Sequence, residues 1–272
     1  MDTDWSVSPP ADGNFPFEDF VIDIGATLTV PSGTVIRCSR DFINEGQIIV
    51  DPGMPGERWF GNADPFPALA GNAMTPAQGG GGLAFPSSRL RHVLEPGLFS
   101  GSNGGRGNGS PDNDGGAGGG SLVIRAGERI VNFGSIHANG GNGLPGDGGD
   151  DGGGGGGGGF LVLASDGDID NSGVISANGG NGVSGLAGDD GGGGGGGVIH
   201  LVSPNASSVG DLLDVSGGSS GATVCTCCGG SAGGAMAGHG GAGSDNGVSA
   251  SSGQAGVVIR TEVPAASPLL LR

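Results

Sequence analysis

Two tracts of glycine alone, 152–159 and 191–197, constrain this chain more than any other feature. Each joins an acidic turn to an apolar block, as GDGGDDGGGGGGGGFLVLAS from Gly146 and GLAGDDGGGGGGGVIHLVS from Gly185. Glycine loses more backbone freedom on folding than any other residue, so such tracts are costly to order. Glycine makes up 68 of 272 residues, a fraction that without a Gly-X-Y period usually signals low complexity. Against that default, the 35% of hydrophobic residues are gathered into short Val, Ile and Leu blocks.

Those blocks repeat. TVIRCSRDFINEGQIIVDPG from Thr34, SLVIRAGERIVNFGSIHANG from Ser121, FLVLASDGDIDNSGVISANG from Phe160 and VIHLVSPNASSVGDLLDVSG from Val198 share one order, and VVIRTEVP from Val257 begins a fifth copy. An alternating apolar strand, a polar corner, a second short strand and a glycine (Gly46, Gly134, Gly173, Gly210) lead into another alternating strand. Two or three short strands in about twenty residues make one coil of a solenoid. Alternation places Ile48, Ile136, Ile175 and Leu213 on one face, where successive coils can stack them. Asn44, Asn132 and Asn171 align two residues before their glycines, as a corner ladder of side-chain amides would; Ser208 ends the series. The glycines after them are expected to supply a backbone angle that other residues resist.

The predicted class is therefore all-β: a β-solenoid of parallel β-helix-like coils, spanning residues 25–260, with glycine-rich excursions at 51–120, 139–159, 178–197 and 217–256. Residues 1–24, with Trp5, Phe15, Phe17, Phe20 and several prolines, read as an N-terminal docking arm; residues 261–272, with three leucines, read as a C-terminal tail. The excursions NGGNGLPGDGGDDGGGGGGGG and NGGNGVSGLAGDDGGGGGGG nearly match and leave from the same corner, which a flexible linker has no reason to do. Glycine-rich chain can adopt an extended helix of three residues per turn with no internal hydrogen bonds, leaving its N–H and C=O groups to bond sideways. The expectation is a packed layer of polyglycine-II-type excursions rather than floppy loops.

A net charge of −17, with no lysine, argues against nucleic-acid binding by general electrostatics. No run reaches the roughly 18 apolar residues of a bilayer span, and the opening MDTDWSVSPP lacks the regions of a signal peptide. Cys38 and the cluster Cys225, Cys227, Cys228 allow a bridge from Cys38 to the cluster, or free or locally paired thiols; three Cys with His239 fit no familiar zinc spacing. Asp147, Asp150 and Asp151 have counterparts in Asp189 and Asp190, either as solvated turn residues or as a calcium site between excursions. Asp166, Asp168 and Asp170 could pair as acid and base on a polysaccharide, with Arg125 and Arg129 as the nearby cations. GNGLPG and GNGVSG match a dinucleotide fingerprint in letters only, because polyglycine follows where a helix is required.

The block GATLTVPSGTVIRCSRDFINEGQIIVDPG, from Gly25 to Gly53, resembles the opening coils of bacterial and phage β-helical surface proteins. The glycine tracts resemble the polyglycine-II sandwich of tail-fibre adhesins from T-even-like phages, although here they are interleaved with β coils. The resemblance implies a non-enzymatic structural or adhesive component of a larger assembly, most simply a phage virion protein of the tail or fibre, without a cofactor. Its expected location is the virion or the extracellular or cell surface. Its expected partners are other virion or surface proteins, further copies of itself, and a host-surface glycan or protein. A bacterial cell-surface protein and a polysaccharide-active β-helix enzyme are the alternatives.

Overall fold

The computed structural model describes residues 3–5, 14–51, 84, 100–105, 115–145, 151–185, 190–205, 212–222, 230–244 and 248–263. Among them there is no helix, and every strand pair is parallel. The first sheet runs β1 (Thr3–Asp4), β4 (Thr27–Val30), β7 (Gln47–Val50), β10 (Ser135–His137), β13 (Val174–Ser176), β15 (Leu213–Asp214). The second runs β2 (Asn14–Phe17), β5 (Thr34–Cys38), β8 (Ser121–Ala126), β11 (Phe160–Ser165), β14 (Val198–Ser203), β16 (Val257–Glu262). The third runs β3 (Phe20–Ile22), β6 (Asp41–Asn44), β9 (Arg129–Asn132), β12 (Ile169–Asn171). The chain visits the second, third and first sheets in turn and then begins again, an order compatible with the β-helix-like class.

Register turns the sequence repeat into columns of like side chains. Leu28, Ile48, Ile136, Ile175 and Leu213 are successive partners along the first sheet. Along the second, Ile36, Ile124, Leu163 and Leu201 follow one another. Phe20, Phe42, Ile130 and Ile169 do so along the third. These columns meet in one core cluster, and burying a column removes apolar surface worth roughly 25 cal/mol per Å² from water.

The N-terminal segment is not the docking arm expected from its aromatics. β2 and β3 pair with β5 and β6, and Trp5, whose N–H donates to the Thr29 carbonyl, is a core residue. Trp5 and Phe17 each pack edge-on against Phe20, which stacks on Phe42 with ring centroids 5.6 Å apart. Trp5 and Phe42 belong to the core cluster, and Phe17 and Phe20 pack against it. The strands accordingly begin before residue 25, and β16 runs past residue 260 to Glu262. Residues 264–272 lie outside the described residues, as does most of the 51–120 excursion.

β8, β11 and β14 are buried along their whole length rather than alternately. Their outward residues Val123, Val162, Ala164 and Val202 form a second apolar cluster with Met236. A parallel sheet covered on both faces reads as a continuous apolar run, as FLVLA does.

Cys38 points into the core at 3% exposure and is a free thiol, so the bridge considered from Cys38 is not formed; Cys225, Cys227 and Cys228 lie outside the described residues. Burial first, then Asp19 and Asp41 nearby, pushes this thiol from its ordinary 9.0 up to about 12. A raised value favours the protonated thiol in the fold. The stabilisation is full below pH 9.0 and is lost as the pH rises toward about 12. Iodoacetamide at pH 8 is expected to leave Cys38 unmodified in the native protein and to label it after urea unfolding. Equal labelling in both, by peptide mass spectrometry, would refute this packing.

Candidate functional site

The glycine excursions leave the first sheet and return to the second. Residues 138–145 follow β10, 177–185 follow β13 and 215–222 follow β15; 115–120, 151–159, 190–197 and 248–256 lead into β8, β11, β14 and β16. Their bonding has a period of three. Gly153, Gly156 and Gly159 donate to the carbonyls of Leu144, Gly141 and Ala138; Gly154 and Gly157 donate to Gly105 and Ser102; Gly155 and Gly158 donate to Gly192 and Gly195. The same tract accepts from Gly116 and Gly119, from Gly180 and Val183, and from Gly234. It is thus ringed by 100–105, 115–120, 138–145, 177–185, 190–197 and 230–235.

Tract 190–197 is ringed in the same way. It donates to Val183, Gly180 and Ala177, to Ser231 and Gly234, and to Ser251 and Gln254. It accepts from Gly155 and Gly158, from Gly218 and Gly221, and from Gly238 and Gly241. Purity of glycine follows from this position. A Cβ added at any of Gly154 to Gly159, or Gly191 to Gly197, would come within 3.0 Å of another tract's backbone. Tracts with a side facing outward carry a side chain at every third position instead: Asn139 and Asn142, Asn178, Asn181 and Ser184, Ser216, Ser219 and Ala222.

The corner asparagines are brought together. Asn44 Nδ2 donates to Asn132 Oδ1 at 2.7 Å, Asn132 Nδ2 to Asn171 Oδ1 at 2.6 Å, and Asn171 Nδ2 to the Gly173 carbonyl at 3.0 Å. All three are buried, and Ile22 occupies the same column one coil earlier. Gly210 and Ser208 lie outside the described residues. The glycines after the ladder do not serve the angle expected of them. Among the described residues, positive φ occurs at Gly25 (78°) and Gly33 (92°), not at Gly46, Gly134 or Gly173. Their need is room: a Cβ on Gly134 would overlap the Gly46 carbonyl, and one on Gly173 the Gly134 carbonyl. Absence of a side chain meets both needs, so the letters cannot distinguish them.

The carboxylate candidates sit in different settings. Asp168 and Asp170 are exposed, and Asp168 Oδ1 accepts from Asn205 Nδ2 at 2.7 Å. Burial holds Asp166 above the usual carboxylate range. Arg129 donates through Nε and Nη2 to Asp41 Oδ2, both at 3.0 Å, while Arg125 is buried on the second sheet opposite Ala164. Asp147, Asp150 and Asp189 lie outside the described residues. Asp151 and Asp190 are buried where their tracts begin, the Asp190 N–H donating to Ser244 Oγ at 2.8 Å. Among the described residues, no three His, Cys, Asp or Glu side chains gather to hold a metal ion.

His137, on β10, shares a 2.7 Å hydrogen bond with Ser176 Oγ, and burial pushes its imidazole below the usual 6.5. A depressed value favours neutral histidine in the fold; the stabilisation is full above pH 6.5 and is lost as the pH falls through the folded value. The loss of melting temperature between pH 7.5 and pH 5 is expected to be smaller in His137→Gln than in the wild type. An identical loss in both proteins would exclude His137 as a contributor.

No family model matches this chain, and no curated protein or solved structure matches it.

Proposed function

We propose that the three sheets close into a β-solenoid and that the glycine tracts form a polyglycine-II-type layer beside it. The whole is a rigid, non-enzymatic structural or adhesive component of a larger assembly, in the class of phage virion proteins of the tail or fibre. The observation that carries this reading is the bonding of 151–159 and 190–197 to other tracts on every side, in steps of three. Three residues per turn and unsatisfied lateral groups are the defining properties of the extended glycine helix. A stack of such helices clamped to β coils holds its shape without a thick apolar core, which suits a slender load-carrying part better than a mobile one. A net charge of −17 favours solubility.

The test is placement. An antibody raised against the full chain, applied to purified virions from the host that carries its gene, is expected to label the tail or its fibres in negative-stain micrographs. Label confined to the bacterial envelope would replace this reading with that of a cell-surface protein. Release of sugars from a polysaccharide panel, abolished by Asp168→Asn, would replace it with that of a hydrolase.

A further inference from the structure

We propose that the asparagine–serine face of the glycine layer is an edge cap, which takes the hydrogen bonds a further tract would take and fills the space it would need. The inference rests on the packed-layer reading above and not on the virion role. In the interior, the backbone N–H groups of Gly153 to Gly159 all reach a carbonyl of another tract. On the face made by 138–145, 177–185 and 215–222, the outward N–H groups have a different partner. Those of Asn178 and Asn181 donate to Oδ1 of Asn139 and Asn142, both at 2.8 Å. One tract further on, that of Ser219 donates to Asn181 Oδ1 at 2.9 Å, that of Ala222 to Ser184 Oγ at 2.8 Å, and that of Ser216 is shared between Asn178 Oδ1 and Asp214 Oδ1, both at 3.0 Å. Each side chain therefore stands in for the missing neighbour of the next tract.

The second half of the device is steric. At interior positions such as Gly155 or Gly194, a Cβ would lie within 3.0 Å of a neighbouring backbone, so the interior spacing exists only where the side chain is absent. Asn181 and Ser219 carry real side chains into the solvent side and are exposed. No tract can approach them at the interior distance. An uncapped lattice edge would be to glycine helices what an unpaired strand is to a sheet, a template for the next chain. The occupant excluded by this cap is the equivalent face of a second copy of the protein.

Two full-length variants separate the halves. Replacing Asn139, Asn142, Asn178, Asn181, Ser184, Ser216, Ser219 and Ala222 together by glycine is expected to open the face, and replacing the first seven by alanine to leave it sterically closed. In sedimentation velocity the alanine variant should match the wild type, whereas the glycine variant should shift with concentration to species at least about twofold heavier. A folded glycine variant with an unchanged distribution overturns the proposal, and so does an alanine variant that associates equally. If the glycine variant does not fold, amide exchange on Asn178→Ala/Asn181→Ala decides. Ser219 should exchange at least about tenfold faster while Gly193 to Gly196 keep their protection. Unchanged protection at Ser219 overturns the cap alone, whereas unprotected Gly193 to Gly196 in the wild type would remove the layer beneath it.

Discussion

Gly194→Ala is expected to lower stability by at least about 3 kcal/mol, well beyond the usual effect of one added methyl group. The new Cβ would overlap the carbonyl oxygen of Gly156 and crowd its carbon at 2.6 Å. Neither side can yield cheaply. Gly194 donates to Gly180 and accepts from Gly218, while Gly156 donates to Gly141 and accepts from Gly180. Separating the two tracts stretches the bonds that join them directly, from Gly155 to Gly192 and from Gly158 to Gly195, and every neighbour is backbone with no rotamer to change. The sign matters as much as the size, because glycine to alanine at a permissive site stabilises by about 0.4–1 kcal/mol through the unfolded chain. Ser219→Ala is the matched control: its Cβ already faces outward, and it loses one exposed 3.0 Å bond from Ser219 Oγ to Asn181 Oδ1, worth about 1 kcal/mol or less. Urea unfolding of both variants checks the pair. A Gly194→Ala protein as stable as the wild type would falsify the packed layer.

Asn132→Ala is expected to cost about 2–4 kcal/mol, because it breaks the ladder in its middle. Asn132 accepts from Asn44 and donates to Asn171, at 1% exposure, and alanine leaves both partners facing a buried gap. Replacing the whole column, Asn44, Asn132 and Asn171, with leucine removes donors and acceptors together, and Ile22 already fills that column one coil earlier. The triple variant should therefore cost less than the sum of the three single leucine variants, a deviation that equilibrium unfolding can measure. Strict additivity would mean that the amides act separately and not as one chain.

Much of this architecture is local and legible in the sequence. The column Ile48, Ile136, Ile175 and Leu213 follows from strand alternation plus a constant offset between copies, and register along the first sheet places these residues side by side. The near-identity of the two excursions likewise indicated order rather than looseness. Other features leave no local mark in the sequence. Trp5, Phe17 and Phe20 among prolines look the same whether they cap their own core or dock in a partner's groove. The covering of the second sheet depends on Met236, over seventy residues beyond the start of β11, so no pattern within those strands announces it.

Sequence periodicity alone determined that short strands recur in a fixed order and which aliphatic residues share a column, because those properties depend on neighbours a few bonds away. It also placed the glycines at their positions. Which glycines must tolerate an unusual angle, which must admit a neighbour's carbonyl, and which asparagines stand in for an absent tract were decided by distant segments converging in space. A residue without a side chain is silent about what approaches it, and only the approaching backbone supplies the answer.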